Sequence, residues 1–263
     1  MDNFVTETDY KLLENDKYTF FVLGRIIKGT VELLLTNHKN LIICFSGAPY
    51  PVWIWTPDNI SDNDMEYAYQ QVLSHGLLDG KNTFNMKYDL ANYFIKRAAA
   101  DNKKLNIKLN MYAYDCTKLS DSVTPTDGTI HKCNNNDIED LTKFLYMFHQ
   151  ETGQDIKEID ECRTDAIKNI ESESMYFWQD ANDNNVACCK LNPNGALAAI
   201  NNVFTHPEFR RKHYAENLVY RVTKHAMDMG YIPMLYTDAN YIASNACYEK
   251  IGYILRGKLC TIG

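Results

Sequence analysis

The stretch V-F-T-H-P-E-F-R-R-K-H-Y-A, running from Val203 to Ala215, decides how this chain is read. An apolar-rich segment, Gly195 to Ile200, leads into it and continues through Val203 and Phe204, as a buried strand does. Pro207 ends that strand, because it offers no N–H to a ladder. From Glu216 onward, Leu218, Val219, Val222, Ala226 and Met229 fall on one face of a helical period, and Gly230 stands where a helix would close. The turn between strand and helix carries Arg210, Arg211 and Lys212. Free backbone N–H groups at a helix start, the positive end of the helix dipole and these cations together suit a phosphate or pyrophosphate.

The segment P-E-F-R-R-K-H-Y-A resembles the coenzyme A pyrophosphate loop of GNAT N-acetyltransferases, whose pattern is Arg/Gln-x-x-Gly-x-Gly/Ala. Arg210 fills the first position and Ala215 the last, while His213 stands where the family has its first glycine. A second segment, Asn240-Tyr-Ile-Ala-Ser-Asn-Ala-Cys-Tyr-Glu-Lys-Ile-Gly-Tyr253, resembles the late motif of the same superfamily, N-x-x-S-N-x-x-Y-x-K-x-G-F/Y. The residue pattern agrees: Met234 to Thr237 reads as a short strand, and Ala243 to Ile251 as a helix with Gly252 just past its end. The expected fold class is α/β with a mixed sheet, residues 126–263 forming a GNAT domain.

Composition bounds the alternatives. A chain of 263 residues that is 45% hydrophobic and 23% charged is that of a globular protein with a sizeable core. A net charge of −7 argues against nucleic acid or an anionic membrane as the main partner. No basic segment followed by an apolar core opens the chain, and no apolar run approaches the roughly 20 residues of a membrane span, so the cytoplasm is the default compartment. The eight cysteines show no C-x-x-C pairing, and the adjacent Cys188 and Cys189 would point to opposite faces of a strand. They read as reduced, mostly buried thiols, with no metal site.

The first half holds structure but little chemistry. Tyr10 to Ile27 reads as helical, Leu41–Phe45 and Val52–Trp55 as strands, Asp64 to Gly76 and the segment from Asp89 as helices, and Leu105 to Ala113 as a strand with one wet face. This order, together with the absence of any basic glycine-containing turn, makes residues 1–118 a degenerate GNAT-like half or an unrelated α/β cap. It is expected to shape the acceptor pocket and to bind no nucleotide. Residues Thr117 to Gly128 are polar and read as a linker. Beyond it the expected order is β-α-α-β-β-β-α-β-α-β. The loop Asp180–Asn185 lacks the glycine and bidentate glutamate of a calcium site and reads as a hairpin turn.

What the resemblance implies for chemistry is an acyl transfer from acetyl-CoA, the co-substrate, to an amine. The seat for the coenzyme would be the backbone of Arg210, Arg211, Lys212, His213, Tyr214 and Ala215. The oxyanion donor would be the backbone N–H of Val203 or a neighbour, and Thr205 would continue the strand's pairing to the pantetheine arm. Tyr248 stands at the family's general acid, its phenol protonated at neutral pH, and the alkaline limb of the rate profile should report its ionisation. Asn245, one turn earlier, would hydrogen-bond the coenzyme. No base is assigned, since Asn201 and Asn202 occupy the central strand and Asp238, the nearest carboxylate, reads first as an N-cap or turn residue before the last helix. The His213 ring would add a donor to the pyrophosphate or point to solvent. A third reading has this loop no longer accepting the coenzyme. The alternative to an enzyme is a catalytically inactive GNAT-fold module that binds or senses coenzyme A or an amino-acid derivative without turnover. The two-half layout also resembles glycine N-acyltransferase-like proteins, which implies a small amine or amino-acid acceptor. A homodimer is left open.

Overall fold

The computed structural model describes residues 1–3, 5–153 and 156–263. In chain order it contains helices α1 (Glu7–Leu12) and α2 (Phe21–Ile26), strands β1 (Leu33–Thr36), β2 (Ile42–Phe45) and β3 (Val52–Trp55), and helix α3 (Asp62–Ser74). Strand β4 (Phe84–Met86), helix α4 (Tyr88–Ala100) and strand β5 (Ile107–Asp115) follow. Then come β6 (Thr129–Lys132), α5 (Ile138–Thr152), α6 (Ile159–Glu171), β7 (Met175–Gln179), β8 (Asn185–Asn194) and β9 (Leu197–Thr205). The chain ends with α7 (Tyr214–Asp228), β10 (Ile232–Asp238), α8 (Ile242–Ile251) and β11 (Ile254–Ile262). From Thr129 onward this is the order expected from the sequence.

The chain divides into two compact units that interleave in sequence. Unit 1 takes residues 1–114, 236–241 and 255–263, and unit 2 takes residues 115–235 and 242–254. In unit 1 the strands run in the order β1-β2-β3-β4-β11-β5. β1, β2 and β3 form antiparallel pairs, β4 lies parallel to β3, and β11 closes against β4 through Cys260–Met86 and its neighbours. Phe84, Met86, Leu90, Phe94 and Tyr69 are buried between this sheet and helices α3 and α4. Phe20, Leu23 and Trp53 bury the opposite face.

Two elements of unit 1 depart from the sequence reading. The expected helix over Tyr10 to Ile27 is broken between α1 and α2, although its apolar positions Leu13, Phe20, Leu23 and Ile27 are all buried. Asp16 sits in that break, its carboxylate accepting from the Trp55 indole at 2.8 Å and from Lys87 at 2.7 Å. Strands β1 and β4, of four and three residues, are too short to show a period in sequence.

In unit 2 the order is β10-β9-β8-β7-β6, antiparallel except for the β9–β10 pair. One face buries Phe144, Leu145, Phe177, Cys188 and Phe204 under α5 and α6, and α7 covers the other. Asp180 closes the β7–β8 hairpin, accepting from the backbone N–H groups of Asn182 and Asn184 at 2.9 and 3.0 Å. All eight cysteines are free thiols, seven buried and Cys247 half-buried. Among the described residues no helix is long and apolar enough to cross a membrane, and no group of His, Cys, Asp and Glu is placed to hold a metal ion.

Candidate active site

The site begins on β9. Within unit 2 the parallel β9–β10 ladder covers Leu197–Ala199 against Ile232–Met234 and goes no further among the described residues. On the other side, Cys188 and Lys190 of β8 face Phe204 and Asn201, so Cys189 alone stands opposite both Asn202 and Val203. This is a β-bulge, and Asn202 takes it up with φ 51°. Asparagine tolerates the left-handed region better than most residues. Val203, the expected oxyanion donor, is therefore the residue following a kink, half-buried and out of the regular ladder.

Beyond Thr205 the chain makes a short 3-10 turn at Pro207–Phe209 and then reverses. Arg211 and His213 both adopt left-handed backbone, with φ 63° and 61°. His213 is the N-cap of α7 and makes no side-chain cap to the helix amides. None of the backbone N–H groups from Arg211 to Glu216 is taken up by an acceptor among the described residues. Successive free amides at the start of a 15-residue helix form a nest for an anion. The histidine thus supplies the backbone geometry that a glycine would, and the residues present fit a pyrophosphate. The helix itself begins at Tyr214, two residues before the sequence placed it, because His213 turns the chain directly into it.

The side chains around this nest are differently engaged. Arg210 is folded back onto unit 2's own structure: its Nε donates to the Thr205 carbonyl at 3.2 Å, it pairs with Glu151, and its guanidinium lies 5.6 Å from the Phe204 ring centre. Arg211 and Lys212 are exposed, with the Lys212 ammonium 5.3 Å from the Phe209 ring centre. Tyr214 is buried and its hydroxyl bonds Asp127, so only its backbone N–H remains for a ligand. Ala215 is half-buried in the first turn. The His213 ring points neither at the nest nor simply to solvent: its Nδ1 lies 2.9 Å from Glu216 Oε2.

Tyr248 and Asn245 lie on α8, one turn apart, 7% and 8% exposed. Burial pushes the Tyr248 phenol well above its ordinary pKa, and the thiols of Cys247 and Cys189 push it further in the same direction. Among the described residues its hydroxyl has no hydrogen-bond partner, whereas that of Tyr253 bonds Thr223 at 2.8 Å. Asp238 accepts from the Asn240 N–H at 2.8 Å, as a turn residue does, and belongs to unit 1.

A cavity of about 540 Å³ opens on the α5 side of the 3-10 turn. Phe144, Met147 and Phe209 form an apolar floor, and Asp183, Glu208 and His206 stand at its edge. Sequence reasoning missed this cavity, the bulge at Asn202 and the partner of Arg210. The Asn201-Asn202 pair inside an apolar strand was the one available signal for the bulge.

Unit 1 repeats the strand–helix–strand plan in β3–α3–β4 but not the nest. There Ser61 caps α3, its hydroxyl accepting the Asp64 amide at 3.2 Å, and the first turn carries Asp62 and Asp64. Acidic side chains in a first turn disfavour an anion there.

Comparison with known proteins agrees with this geometry. Residues 138–253 match the acetyltransferase (GNAT) family, a span that includes the bulge, the nest and Tyr248. A GCN5-related N-acetyltransferase from Sphaerobacter thermophilus superposes with a TM-score of 0.64 at 9% identity, covering 92% of this chain and 84% of its own. One from Kribbella flavida gives 0.62 at 11% identity, with coverages of 95% and 94%. A GNAT-family acetyltransferase from Colwellia psychrerythraea gives 0.59 at 12%, covering 99% and 97%. No curated protein matches the sequence. The fold neighbours span both units, and the match to the acetyltransferase (GNAT) family lies in residues 138–253.

Proposed function

We propose that the chain is an acyl-CoA-dependent N-acyltransferase, with acetyl-CoA as donor and a small amine or amino acid as acceptor. The observation that carries this reading is the run of free amides from Arg211 to Glu216, placed directly after a bulged strand. The amides, with Arg211 and Lys212, would hold the pyrophosphate. Asn245 would bond the coenzyme's arm and Thr205 would extend its backbone pairing. Bound acyl-CoA supplies an activated thioester. The acceptor first loses its ammonium proton to solvent, and the neutral amine nitrogen forms the new C–N bond as the C–S bond breaks. The Val203 N–H stabilises the charge on the carbonyl oxygen, and a preorganised donor of this kind contributes roughly 10²–10³ in rate. Tyr248 gives its proton to the departing sulfur, while the proton released by the amine passes to solvent and restores the phenol. The carboxylates and apolar floor of the cavity beside the 3-10 turn suit an ammonium group on a small body, which supports an amine acceptor.

Isothermal calorimetry with coenzyme A, followed by thiol release from acetyl-CoA against a panel of amines and amino acids, tests the reading. One coenzyme per chain is expected, since the start of α3 in unit 1 is capped by Ser61 and acidic. Absence of binding by the wild type overturns the proposal, and binding without thiol release on any amine reduces the protein to a sensor.

A further inference from the structure

Glu216 is a charged residue on the buried face of α7, where the helical period calls for an apolar one. Its side chain is only 7% exposed, yet it meets three donors, one a turn away and two from distant parts of unit 2. Oε1 accepts the backbone N–H of Thr124 at 2.6 Å and the Lys250 ammonium at 2.8 Å. Oε2 faces His213 Nδ1 at 2.9 Å. Burial raises the pKa of this carboxyl, but Lys250, the Thr124 amide and His213 together more than offset it and leave it below the ordinary value, so it is ionised.

Each donor matters to a different part of the candidate site. His213 holds a left-handed backbone, which a non-glycine residue adopts only at a cost. Its ring is anchored by a charge-assisted bond, which opposes that cost. Lys250 stands two residues from Tyr248 on α8 and also bonds the Thr124 hydroxyl. Thr124 opens a strap of the polar linker that lies along the loop. The Thr124 carbonyl accepts Asn217 Nδ2 at 2.8 Å, the Thr126 hydroxyl donates to the Lys212 carbonyl at 2.8 Å, and Asp127 bonds the Tyr214 hydroxyl. The linker is thus fastened to the loop at Lys212, Tyr214 and Asn217.

We infer that Glu216 is a positioning residue of the coenzyme site: its carboxylate holds His213 in the left-handed conformation that leaves the loop amides free, and fastens the Tyr248 helix and the linker strap to that same loop. The inference rests on the acyltransferase reading and adds to it the reason a histidine can replace the family's glycine. A glycine adopts the left-handed conformation unaided. The two residues, His213 and Glu216, therefore act as one device, and their effects on coenzyme binding must be coupled.

A double-mutant cycle measures that coupling. Coenzyme A affinity is determined by calorimetry for the wild type, Glu216→Gln, His213→Gly and the double variant, with thermal unfolding as a fold control. In the wild-type background Glu216→Gln should weaken coenzyme A about tenfold, through loss of one charge-assisted bond and release of the loop. In the His213→Gly background the same change should cost less than about twofold in affinity, because glycine no longer needs the anchor. The kcat loss of Glu216→Gln should persist in both backgrounds and be reproduced by Lys250→Met, since the Tyr248 helix is freed in every case. Should Glu216→Gln fail to fold, Glu216→Asp keeps the charge but withdraws the oxygens by one methylene, and the same cycle applies. Equal affinity losses in the two backgrounds would reduce Glu216 to packing and sink the inference while leaving the acyltransferase reading intact. A wild type that binds no coenzyme A removes both together.

Discussion

A β-carbon placed on Gly252 would lie 2.4 Å from the carbonyl oxygen of Lys118 and 3.0 Å from the Ser120 nitrogen. Gly252 has φ 117°, and the adjacent Ile251 carbonyl accepts the Ser120 N–H at 2.8 Å. The glycine that ends the late motif is there so that the start of the linker can pass against the end of α8. The obstacle is backbone on one side and a glycine-only φ on the other, so neither can relax cheaply. Gly252→Ala should cost about 3 kcal/mol. In a chain of this size that is a fall of roughly 6–12 °C in Tm, read by scanning calorimetry. A loss under about 2 °C would show that the linker start yields.

The cations of the loop should not contribute alike. Arg211 and Lys212 face solvent beside the nest, while Arg210 is engaged with Thr205, Glu151 and Phe204. Arg211→Ala with Lys212→Ala should weaken coenzyme A by about tenfold or more, the worth of a charge-assisted phosphate contact. Arg210→Ala should change affinity by less than about threefold and lower thermal stability instead, because its contacts hold the end of β9. Calorimetry of the two variants decides, and a larger loss for Arg210→Ala would mean that its guanidinium swings round to the ligand.

Tyr248→Phe should keep the fold and the coenzyme affinity and lower kcat by about 10²-fold, the low end for a positioned acid because a thiolate leaves readily. Burial places the phenol's ionisation well above the ordinary tyrosine range. The alkaline limb expected from the sequence to report this phenol is therefore displaced out of the working range, and Tyr248→Phe should leave the shape of the pH profile unchanged up to about pH 10. A variant within about threefold of wild-type kcat, with chemistry rate-limiting, would leave Tyr248 as a packing residue.

In unit 1, His38 joins Asp2 at 2.6 Å and the buried Asp9 at 2.9 Å, its pKa raised first by the bond to Asp2 and then by that to Asp9. A raised folded pKa gives stability that is fully present below the unfolded histidine value near 6.5 and lost as pH climbs through the folded value. The N-terminal residues that pair with Thr36 should therefore loosen as pH rises above about 6.5, seen as faster amide exchange at Asp2 and Thr36. His38→Gln should abolish that pH dependence. Exchange rates that, once corrected for intrinsic pH effects, stay flat in the wild type would remove His38 as the clamp.

The elements of unit 2 were legible because their periods are long and clean. Leu218, Val219, Val222 and Ala226 are buried as the spacing requires, whereas Met229, expected on the same face, is the exposed C-cap of α7. What stayed hidden depends on residues far apart in sequence. The bulge at Asn202 is a one-residue mismatch that exists only relative to β8. Glu216 breaks the apolar face of its own helix, and its partners Thr124 and Lys250 lie 92 residues before it and on another helix. The linker's polar composition describes a solvated segment equally well, and only the contacts of Thr124, Thr126 and Asp127 reveal a strap. Likewise Arg210 matched the motif's first position by type, while its charge is committed to Glu151.

The place of β11 has a consequence for biosynthesis. Cys260, Thr261 and Ile262 pair with β4, whose Phe84–Met86 leaves the ribosome about 175 residues earlier. The inner edge of β4 stays without that neighbour until residues 260–262 are made, so the unit begun first completes its sheet only after the chain of unit 2 has been synthesised. Removing residues 255–263, far from the amino terminus in sequence, should unfold unit 1 rather than trim unit 2.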